Sequence, residues 1–367
     1  MRVLMISKAC TIGAYQKKLE ELARFPDLEL FVIVPPYWRD GRSRLLLERE
    51  HVSGYQLLVE WMALNGHFHL HFYPFLGRRM CSIQPDIVHM DEEPYNLATW
   101  QAMLLAGHCG AKKLFFTWQN LRRSYPFPFS AWERYNLTRA DYALAGNADA
   151  AQVLRAKGYK GPLEIIPQFG VDPEIYRPLP DERVAPAAGR FVIGYMGRLV
   201  PEKGVDILLQ AAARLDGDWE LKIIGDGPQQ APLQALAERL GVSSRVSFQQ
   251  RVPSSQVPTC LNRLNVLVLP SLARPNWKEQ FGRVLVEAMA CETPVIGSDS
   301  GEIPHVIGEA GLVFQEGDAE ALRDCLARVR SDPEAWSRWG VAGRRRVLAL
   351  YTQARIAALT YEVYRKM

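Results

Sequence analysis

Two carboxylates and two cations in the second half of the chain have the types and spacing to bind phosphate groups and sugar hydroxyls. Glu279 and Glu287 stand on either side of Phe281 and Gly282, and an apolar pattern of helical spacing follows from Val284. The first N–H groups of a helix lack internal partners and carry partial positive charge, which suits a phosphate or a set of sugar hydroxyls. Carboxylates beside such a helix start can accept hydrogen bonds from sugar or ribose hydroxyls.

The two cations are Arg198 and Lys203. A predicted strand ends at Gly197, and a short loop then delivers Lys203 and Gly204 at the start of a predicted helix, Val205 to Arg214. Two cations near a helix start can neutralise a diphosphate. The alternative is that both are surface charges.

A repeated alternation of strand and helix patterns must position these residues. The predicted strands are Arg2 to Ser7, Leu28 to Val34, Tyr55 to Trp61, Phe68 to Tyr73, Asp86 to Met90, Lys113 to Phe116, Tyr142 to Ala145, the run from Phe191, Glu220 to Ile224, Val246 to Gln249, Val266 to Leu269 and Pro294 to Gly297. The predicted helices are Ile12 to Ala23, Tyr95 to Leu105, Trp132 to Arg139, Val205 to Arg214, one starting near Phe281, Ala319 to Val329, Pro333 to Tyr351 and Thr352 to Arg365. Such alternation implies βαβ crossovers and mainly parallel sheets.

Length and composition limit the class of protein. A chain of 367 residues suits two domains, and the Pro/Ala-rich stretch from Arg177 to Gly189 is typical of a linker. The net charge of +4 is mild, and no basic stripe with interleaved aromatics indicates nucleic-acid binding. The six cysteines lack CxxC spacing, so they indicate free thiols in a reducing cytoplasm, with neither a zinc site nor a disulfide framework.

No apolar stretch approaches the length of a membrane span, and the amino terminus is typical of a first β-strand rather than a signal peptide. Basic residues of the first half leave peripheral contact with an anionic membrane face as an alternative to plain solvation. These residues are Lys17, Lys18, Arg42, Arg44, Arg122 and Arg123.

The order Glu-x-Phe-Gly-x4-Glu-Ala-Met-Ala, starting at Glu279, is followed by Thr-Pro-Val-Ile-Gly-Ser and then Gly-Glu-Ile-Pro. This order resembles the two-glutamate motif of the GT4-type retaining glycosyltransferases, the group 1 family with the GT-B fold. The order Gly-Arg-x4-Lys-Gly at Gly197 matches that family as well. The resemblance implies two Rossmann-like domains facing across a cleft, at 1–172 and 173–350, and a terminal helix, 351–367, that returns to the first domain.

The resemblance also implies residue roles for transfer of a sugar from a nucleotide sugar. Arg198 and Lys203 would stabilise the departing diphosphate, Glu279 would accept hydrogen bonds from the sugar, and Glu287 would hold the ribose. The family's Gly-x-Gly-Pro turn corresponds to the turn that starts at Gly225. The other predicted donor-binding residues are Gly13, Gly197, Asp226, Gly227, Arg251, Phe281, Gly282 and Arg283. No metal or other cofactor is expected.

The first domain should bind the acceptor, a glycan, a lipid-linked molecule or a small molecule. Family members commonly carry a histidine after a strand that corresponds here to Lys113 to Phe116, but this chain has Gln119 and Asn120 in that region. Either amide can hydrogen-bond a sugar hydroxyl, although neither is a comparable base. Glu92 and Glu93 follow another strand and could orient or polarise the acceptor; alternatively Glu93 caps a helix that begins at Pro94.

Three further possibilities stay open. His67, His69 and His71 alternate along a predicted strand and would face one side, but no acidic partner with defined spacing supports a metal site. A glycan phosphorylase or sugar-phosphate synthase would share the GT-B fold. A non-catalytic nucleotide-sugar-binding protein would explain the missing histidine, whereas a dehydrogenase is disfavoured because no G-x-G-x-x-G follows the first strand.

Overall fold

Apolar runs that the sequence marks as strands form the interior of the protein. The computed structural model describes residues 1–41, 43–182 and 189–367. Arg42 and residues 183–188 of the predicted linker lie outside the described residues. The described chain forms two compact units, Met1–Gly170 with Gln353–Met367 and Val171–Thr352. The sequence predicts these boundaries after residues 172 and 350, two residues away in each case.

The first unit contains a seven-stranded parallel sheet in the order β5-β2-β1-β6-β7-β8-β9, together with a separate hairpin, β3-β4. Its strands are β1 (Arg2–Ile6), β2 (Glu29–Val34), β3 (Tyr37–Asp40), β4 (Ser43–Leu46), β5 (Gln56–Val59), β6 (Ile87–Met90), β7 (Lys112–Thr117), β8 (Tyr142–Ala145) and β9 (Leu163–Ile165). Its helices are α1 (Gly13–Ala23), α2 (Leu76–Ile83), α3 (Leu97–His108), α4 (Phe129–Arg139), α5 (Ala148–Ala156) and α13 (Gln353–Lys366).

Helices cover both faces of this sheet, as the near-continuous apolar strands require. Leu4 and Ile6 of β1 pack in one core with α2 and α3, and Val3 and Met5 pack in the other with α1 and α13. The terminal helix α13 therefore belongs to the first unit, as the GT-B resemblance predicts. Its Tyr364 OH lies 2.6 Å from Nδ1 of the buried His89 on β6.

The prediction of a strand from Phe68 to Tyr73 is wrong. The carbonyl oxygen of His67 accepts from the N–H groups of both Leu70 and His71, so the backbone turns, and only an isolated bridge joins Ala63 to Phe72. Since there is no strand, His67, His69 and His71 do not share one face. The β3-β4 hairpin lies in a stretch for which the sequence predicts no strand, because its pairing depends on antiparallel contacts that local periodicity does not reveal.

The second unit contains six parallel strands in the order β12-β11-β10-β13-β14-β15. They are β10 (Phe191–Met196), β11 (Trp219–Ile224), β12 (Val246–Gln249), β13 (Val266–Leu269), β14 (Val295–Ser298) and β15 (Gly311–Phe314). Its helices are α6 (Val205–Ala213), α7 (Gln230–Arg239), α8 (Val257–Asn262), α9 (Arg283–Ala290), α10 (Ile303–Ile307), α11 (Ala319–Ser331) and α12 (Pro333–Leu350). In both units the strand order reverses beside the first strand, which is the doubly wound arrangement that binds ligands at the reversal point.

Three observations bear on the membrane and metal expectations. Within the three described ranges, no helix has the length and apolar character needed to cross a bilayer, and no group of three or more potential metal-binding side chains comes together. Lys18 is only 2 % exposed and donates to the carbonyl oxygen of Gln168 at 3.0 Å, so this lysine is not a surface charge that could meet lipid.

Candidate active site

The predicted donor residues lie in loops at the reversal point of the second sheet. β10 leads into α6 and β13 leads into α9, on opposite sides of the point where the strand order changes. The loop after β10 carries Arg198 and Lys203, and the loop after β13 carries Glu279. The carboxyl ends of these two neighbouring strands therefore hold three of the predicted site residues.

Lys203 and Glu279 form an ion pair, with Lys203 Nζ 2.5 Å from Glu279 Oε2. The same oxygen accepts from Ser271 Oγ at 2.9 Å, and Ser271 is fully buried. Lys203 Nζ also lies over the ring of Trp277, 4.9 Å from its centroid. Sequence reasoning missed Ser271 and Trp277; their only signal is their position between β13 and Glu279.

The two loops touch through backbone atoms. Gly204 has a positive φ of 62°, and a Cβ built there would lie 2.0 Å from the carbonyl oxygen of Pro270. Leu272 N donates to the carbonyl oxygen of Glu202 at 2.8 Å. Because only glycine permits this approach, Gly204 fixes Lys203 close to the loop that carries Glu279.

Helix α9 begins at Arg283, directly after the predicted Phe281-Gly282 start. Gly282 is its N-cap with φ 74°, and a glycine supplies no side-chain acceptor for the first N–H groups. Phe281 packs edge-on against Tyr351, with ring centroids 5.6 Å apart. The helix start therefore keeps the character of an anion-binding end.

Glu287 is buried inside α9. It pairs with Arg283 Nε at 2.7 Å and accepts from the Tyr176 hydroxyl at 3.3 Å. Burial raises the pKa of Glu287, and Arg283 and Tyr176 oppose that rise. Glu287 thus has two partners from its own unit, Arg283 and Tyr176. Its role in binding the ribose stays a prediction.

The predicted glycines of the second unit come together. A Cβ built on Gly225 would lie 1.9 Å from the carbonyl oxygen of Gly197, and one on Gly227 would lie 2.3 Å from that of Leu199. These glycines allow the turn after β11 to press against the Arg198 loop. The side chains of Arg198, Asp226 and Arg251 are exposed, on the loops that follow β10, β11 and β12 respectively.

In the first unit, Glu92 lies at the reversal point between β1 and β6 and is 4 % exposed. Its Oε2 pairs with Lys8 Nζ and lies 2.8 Å from His71 Nε2. Burial alone would raise the pKa of Glu92, but His71 and Lys8 lower it to about 2. His71 Nδ1 lies 3.2 Å from the carbonyl oxygen of His67, so each ring nitrogen of His71 lies beside an oxygen atom.

Sequence reasoning missed Lys8 and His71. Lys8 follows β1 at the reversal point, which is the one signal that could have identified it. His71 comes from a segment that the sequence assigned to a strand, so its contact with Glu92 depends on a tertiary turn.

Glu93 joins the ends of β6 and β7. Its carboxylate accepts from Trp118 N at 2.8 Å and from Thr117 Oγ1 at 2.5 Å. Burial raises the pKa of Glu93 to about 7, against the opposing effect of those two hydrogen bonds. Glu93 does not cap a helix at Pro94, because α3 begins at Leu97 with Asn96 as its N-cap.

The two predicted amides are both nearly buried, with Gln119 6 % and Asn120 7 % exposed. Gln119 Oε1 accepts from Lys157 Nζ at 3.1 Å, and its Nε2 donates to the Tyr125 hydroxyl at 3.2 Å. The backbone N–H of Gly13, which the sequence assigns to a donor phosphate, donates to Glu48 Oε2 at 2.6 Å.

Comparisons with known proteins agree with this architecture. Residues 180–346 match the family described as "Glycosyl transferases group 1". The α-maltose-1-phosphate synthase of Mycolicibacterium smegmatis is 31 % identical over 268 residues, 66 % of this chain and 67 % of the relative. A GDP-mannose-dependent α-(1-6)-phosphatidylinositol monomannoside mannosyltransferase from the same organism is 33 % identical over 201 residues, 52 % of each chain.

The fold is also found in a solved structure. Anabaena HepE in complex with UDP aligns over all of both chains with a TM-score of 0.77 at 18 % identity. This similarity confirms the prediction of a GT-B fold with two Rossmann-like halves. The family match and the synthase relative show that the chain belongs to the group 1 glycosyltransferases.

Proposed function

We propose that this protein transfers a glycosyl group from a nucleotide-diphosphate sugar to an acceptor hydroxyl, with retention at the anomeric carbon. The observation that carries the proposal is the Lys203–Glu279 pair beside the start of α9. A cation, a carboxylate and a helix start meet there at the reversal point of a doubly wound sheet. That set suits an anionic leaving group attached to a hydroxyl-rich ring.

The chemistry assigned to the second unit is electrostatic. As the bond from the anomeric carbon to the diphosphate oxygen breaks, Arg198 and Lys203 stabilise the charge that develops on the diphosphate. Glu279 accepts hydrogen bonds from the sugar, Glu287 from the ribose, and the backbone around Phe281 and Gly282 fixes the sugar or phosphate. Gly197, Gly225 and Gly227 supply the close backbone turn.

The acceptor oxygen forms the new bond on the face from which the diphosphate departs, and the departing oxygen receives the acceptor proton. No covalent enzyme intermediate and no metal ion are needed in this scheme. Glu92, Glu93, Gln119 and Asn120 of the first unit are the proposed acceptor-side residues. A cytoplasmic location with peripheral membrane contact stays a prediction.

The relatives support a range of substrates. The mannosyltransferase is named for GDP-mannose and a phosphatidylinositol acceptor, and HepE was solved with UDP. The maltose-1-phosphate synthase favours a second candidate within the same chemistry, in which a sugar phosphate is the acceptor. The acceptor could be a free sugar, a sugar phosphate or a lipid-linked glycan. These acceptors would differ only in the chemical groups that the first unit contacts.

A panel of UDP-, GDP- and ADP-sugars tests the proposal. The expected result is a raised melting temperature with one nucleotide class, because a ligand of the folded state stabilises it. Turnover of that donor, with or without an acceptor, should fall in Arg198→Ala and Glu279→Ala. A protein that binds the donor but transfers its sugar neither to any acceptor nor to water would be a binding protein, and the enzyme proposal would fail.

A further inference from the structure

Trp277 lies two residues before Glu279 and is half-buried. Lys203 Nζ is 4.9 Å from its ring centroid and 2.5 Å from Glu279 Oε2. Lys203 is therefore held between a carboxylate and an aromatic face. The aromatic contact is separate from the Glu-x-Phe-Gly motif, and no step of the proposed chemistry uses it.

The tight turn that carries Trp277 is fixed to the neighbouring loop. Arg274 N donates to the Trp277 carbonyl oxygen at 2.6 Å, and Trp277 N donates back to that of Arg274 at 3.1 Å. Leu272 N donates to the carbonyl oxygen of Glu202, the residue before Lys203. The indole ring is thus held at a defined place relative to the Lys203 backbone.

A second anchor lies next to the first, at Ala273. Ala273 N donates to Glu316 Oε2 at 2.7 Å, and Glu316 N donates to Asp299 Oδ1 at 2.8 Å. Glu316 and Asp299 follow β15 and β14, so the turn is attached to the carboxyl ends of two further strands. The residues that lead into the turn are therefore held by loops that follow three strands of the sheet.

The two partners of Lys203 act differently on its ammonium group. Glu279 neutralises the charge and accepts one of its three N–H donors. An aromatic face attracts a cation through its quadrupole and leaves the N–H donors to other acceptors. Trp277 can therefore keep Lys203 beside the start of α9 while the remaining N–H groups meet a phosphate.

We propose that Trp277 is a positioning residue that holds Lys203 where its ammonium meets the diphosphate of the donor. This inference rests on the proposed function and deepens it on the donor side. It predicts that the ring acts on the diphosphate through Lys203, and not on the nucleoside.

Calorimetric titration tests whether Trp277 acts through Lys203. The proteins are the wild type, Trp277→Leu and Trp277→Phe. Each is titrated with the diphosphates UDP, GDP and ADP and with the nucleosides uridine, guanosine and adenosine. Leucine keeps apolar bulk without the aromatic face. Trp277→Leu should therefore bind the preferred diphosphate about tenfold more weakly, which is a loss of about 1.4 kcal/mol of binding free energy. Affinity for the matching nucleoside should be unchanged. Trp277→Phe should recover most of the loss, because it restores an aromatic face.

The same comparison in a Lys203→Ala background separates positioning from loop stability. Trp277→Leu should cause no further loss there, since the cation it positions is gone. An equal loss in both backgrounds, or an equal loss for diphosphate and nucleoside, would overturn the inference. Should Trp277→Leu fail to fold, as judged by its thermal transition, Trp277→Met takes its place.

The outcome for the wild type separates this inference from the proposed function. If the wild type binds none of the three diphosphates and transfers no sugar, the proposed function fails. If it binds one of them and Trp277→Leu binds it equally well, only the role of Trp277 fails.

Discussion

The charged groups of the two units differ in how far they are open to solvent. In the second unit the side chains of Lys203 and Glu279 keep 20 % and 10 % exposure. In the first unit the side chains of Lys8 and Glu92 keep 14 % and 1 %, and the His71 side chain beside Glu92 is fully buried. A cation that must receive an anionic ligand needs access, whereas a buried ion pair costs desolvation and must be satisfied from within. The carboxylate of Glu279 therefore keeps more access to a ligand than that of Glu92, whose partners Lys8 and His71 join loops of the first unit.

The two groups also differ in how they arise from the chain. Lys203 and Glu279 come from two loops that leave neighbouring strands, and each loop carries a recognisable local motif. Lys8, His71 and Glu92 come from three distant segments, one of which has no regular secondary structure. Loops that connect a rigid sheet are where substrate differences within one fold arise. The first unit is accordingly the place where this chain would differ from its relatives in acceptor choice.

The largest effect that would test this comparison is on catalysis in the second unit. Glu279→Gln keeps the shape of the side chain but loses the charge that pairs with Lys203 and that, in the proposed mechanism, accepts hydrogen bonds from the sugar. We expect kcat to fall about a hundredfold, comparable to removal of one preorganised electrostatic contact. Steady-state kinetics with the preferred donor measures it. Glu309→Gln, the same change at an exposed position of the same unit, should keep wild-type kcat, and equal kcat in both variants would contradict the site.

A second effect, on stability, should appear in the first unit. Glu92→Gln leaves Lys8 and His71 without their anion, and we expect the free energy of opening around β1 and β6 to fall by about 3 kcal/mol at pH 7. Amide hydrogen exchange of these strands measures the first unit alone. Glu362→Gln, an exposed site on α13, is the matched control. Unchanged protection in Glu92→Gln would mean that the buried cluster does not organise this unit.

A smaller effect concerns pH and Glu93. Its pKa rises from 4.5 to about 7 in the folded state. Between these values the folded state binds a proton that the unfolded chain releases. The contribution of protonated Glu93 to the stability of the fold is therefore fully present below pH 4.5 and is lost as the pH rises through about 7. We expect the wild type to lose about 2–3 kcal/mol more stability than Glu93→Gln over this range, measured by hydrogen exchange of β6 and β7. Parallel pH profiles for the two proteins would contradict the raised pKa.

The second unit could be predicted from the sequence because the features that determine its structure are local. Apolar runs predict β10 and β13, glycines predict the close turns, and the start of α9 lies within two residues of its predicted place. The ion pair between Lys203 and Glu279 was not predicted, since the motif gives each residue a ligand role and says nothing of their mutual contact. Trp277 was missed for a related reason, because a lone aromatic residue in a loop has no periodicity.

The side-chain cluster of the first unit depends on contacts between segments that are distant in the sequence. The His-rich stretch from Phe68 to Tyr73 alternates like a strand, but hydrogen bonds to the His67 carbonyl turn it and bury His71. The prediction that Lys18 is a surface charge was wrong because the helical face that contains it packs under the Gln168 carbonyl. Local pattern therefore gave the position of Glu92 and Glu93 without their partners.

Binding of a nucleoside diphosphate without metal tests the central claim most directly. Calorimetric titration of UDP, GDP and ADP with EDTA present should show that the wild type binds one of them. Lys203→Ala should bind that diphosphate at least about tenfold more weakly, as expected for loss of a charge-assisted hydrogen bond. The control Arg338→Ala, on the exposed face of α12, should bind it as the wild type does. Equal affinity in Lys203→Ala, or binding that appears only when a divalent ion is added, would contradict the account.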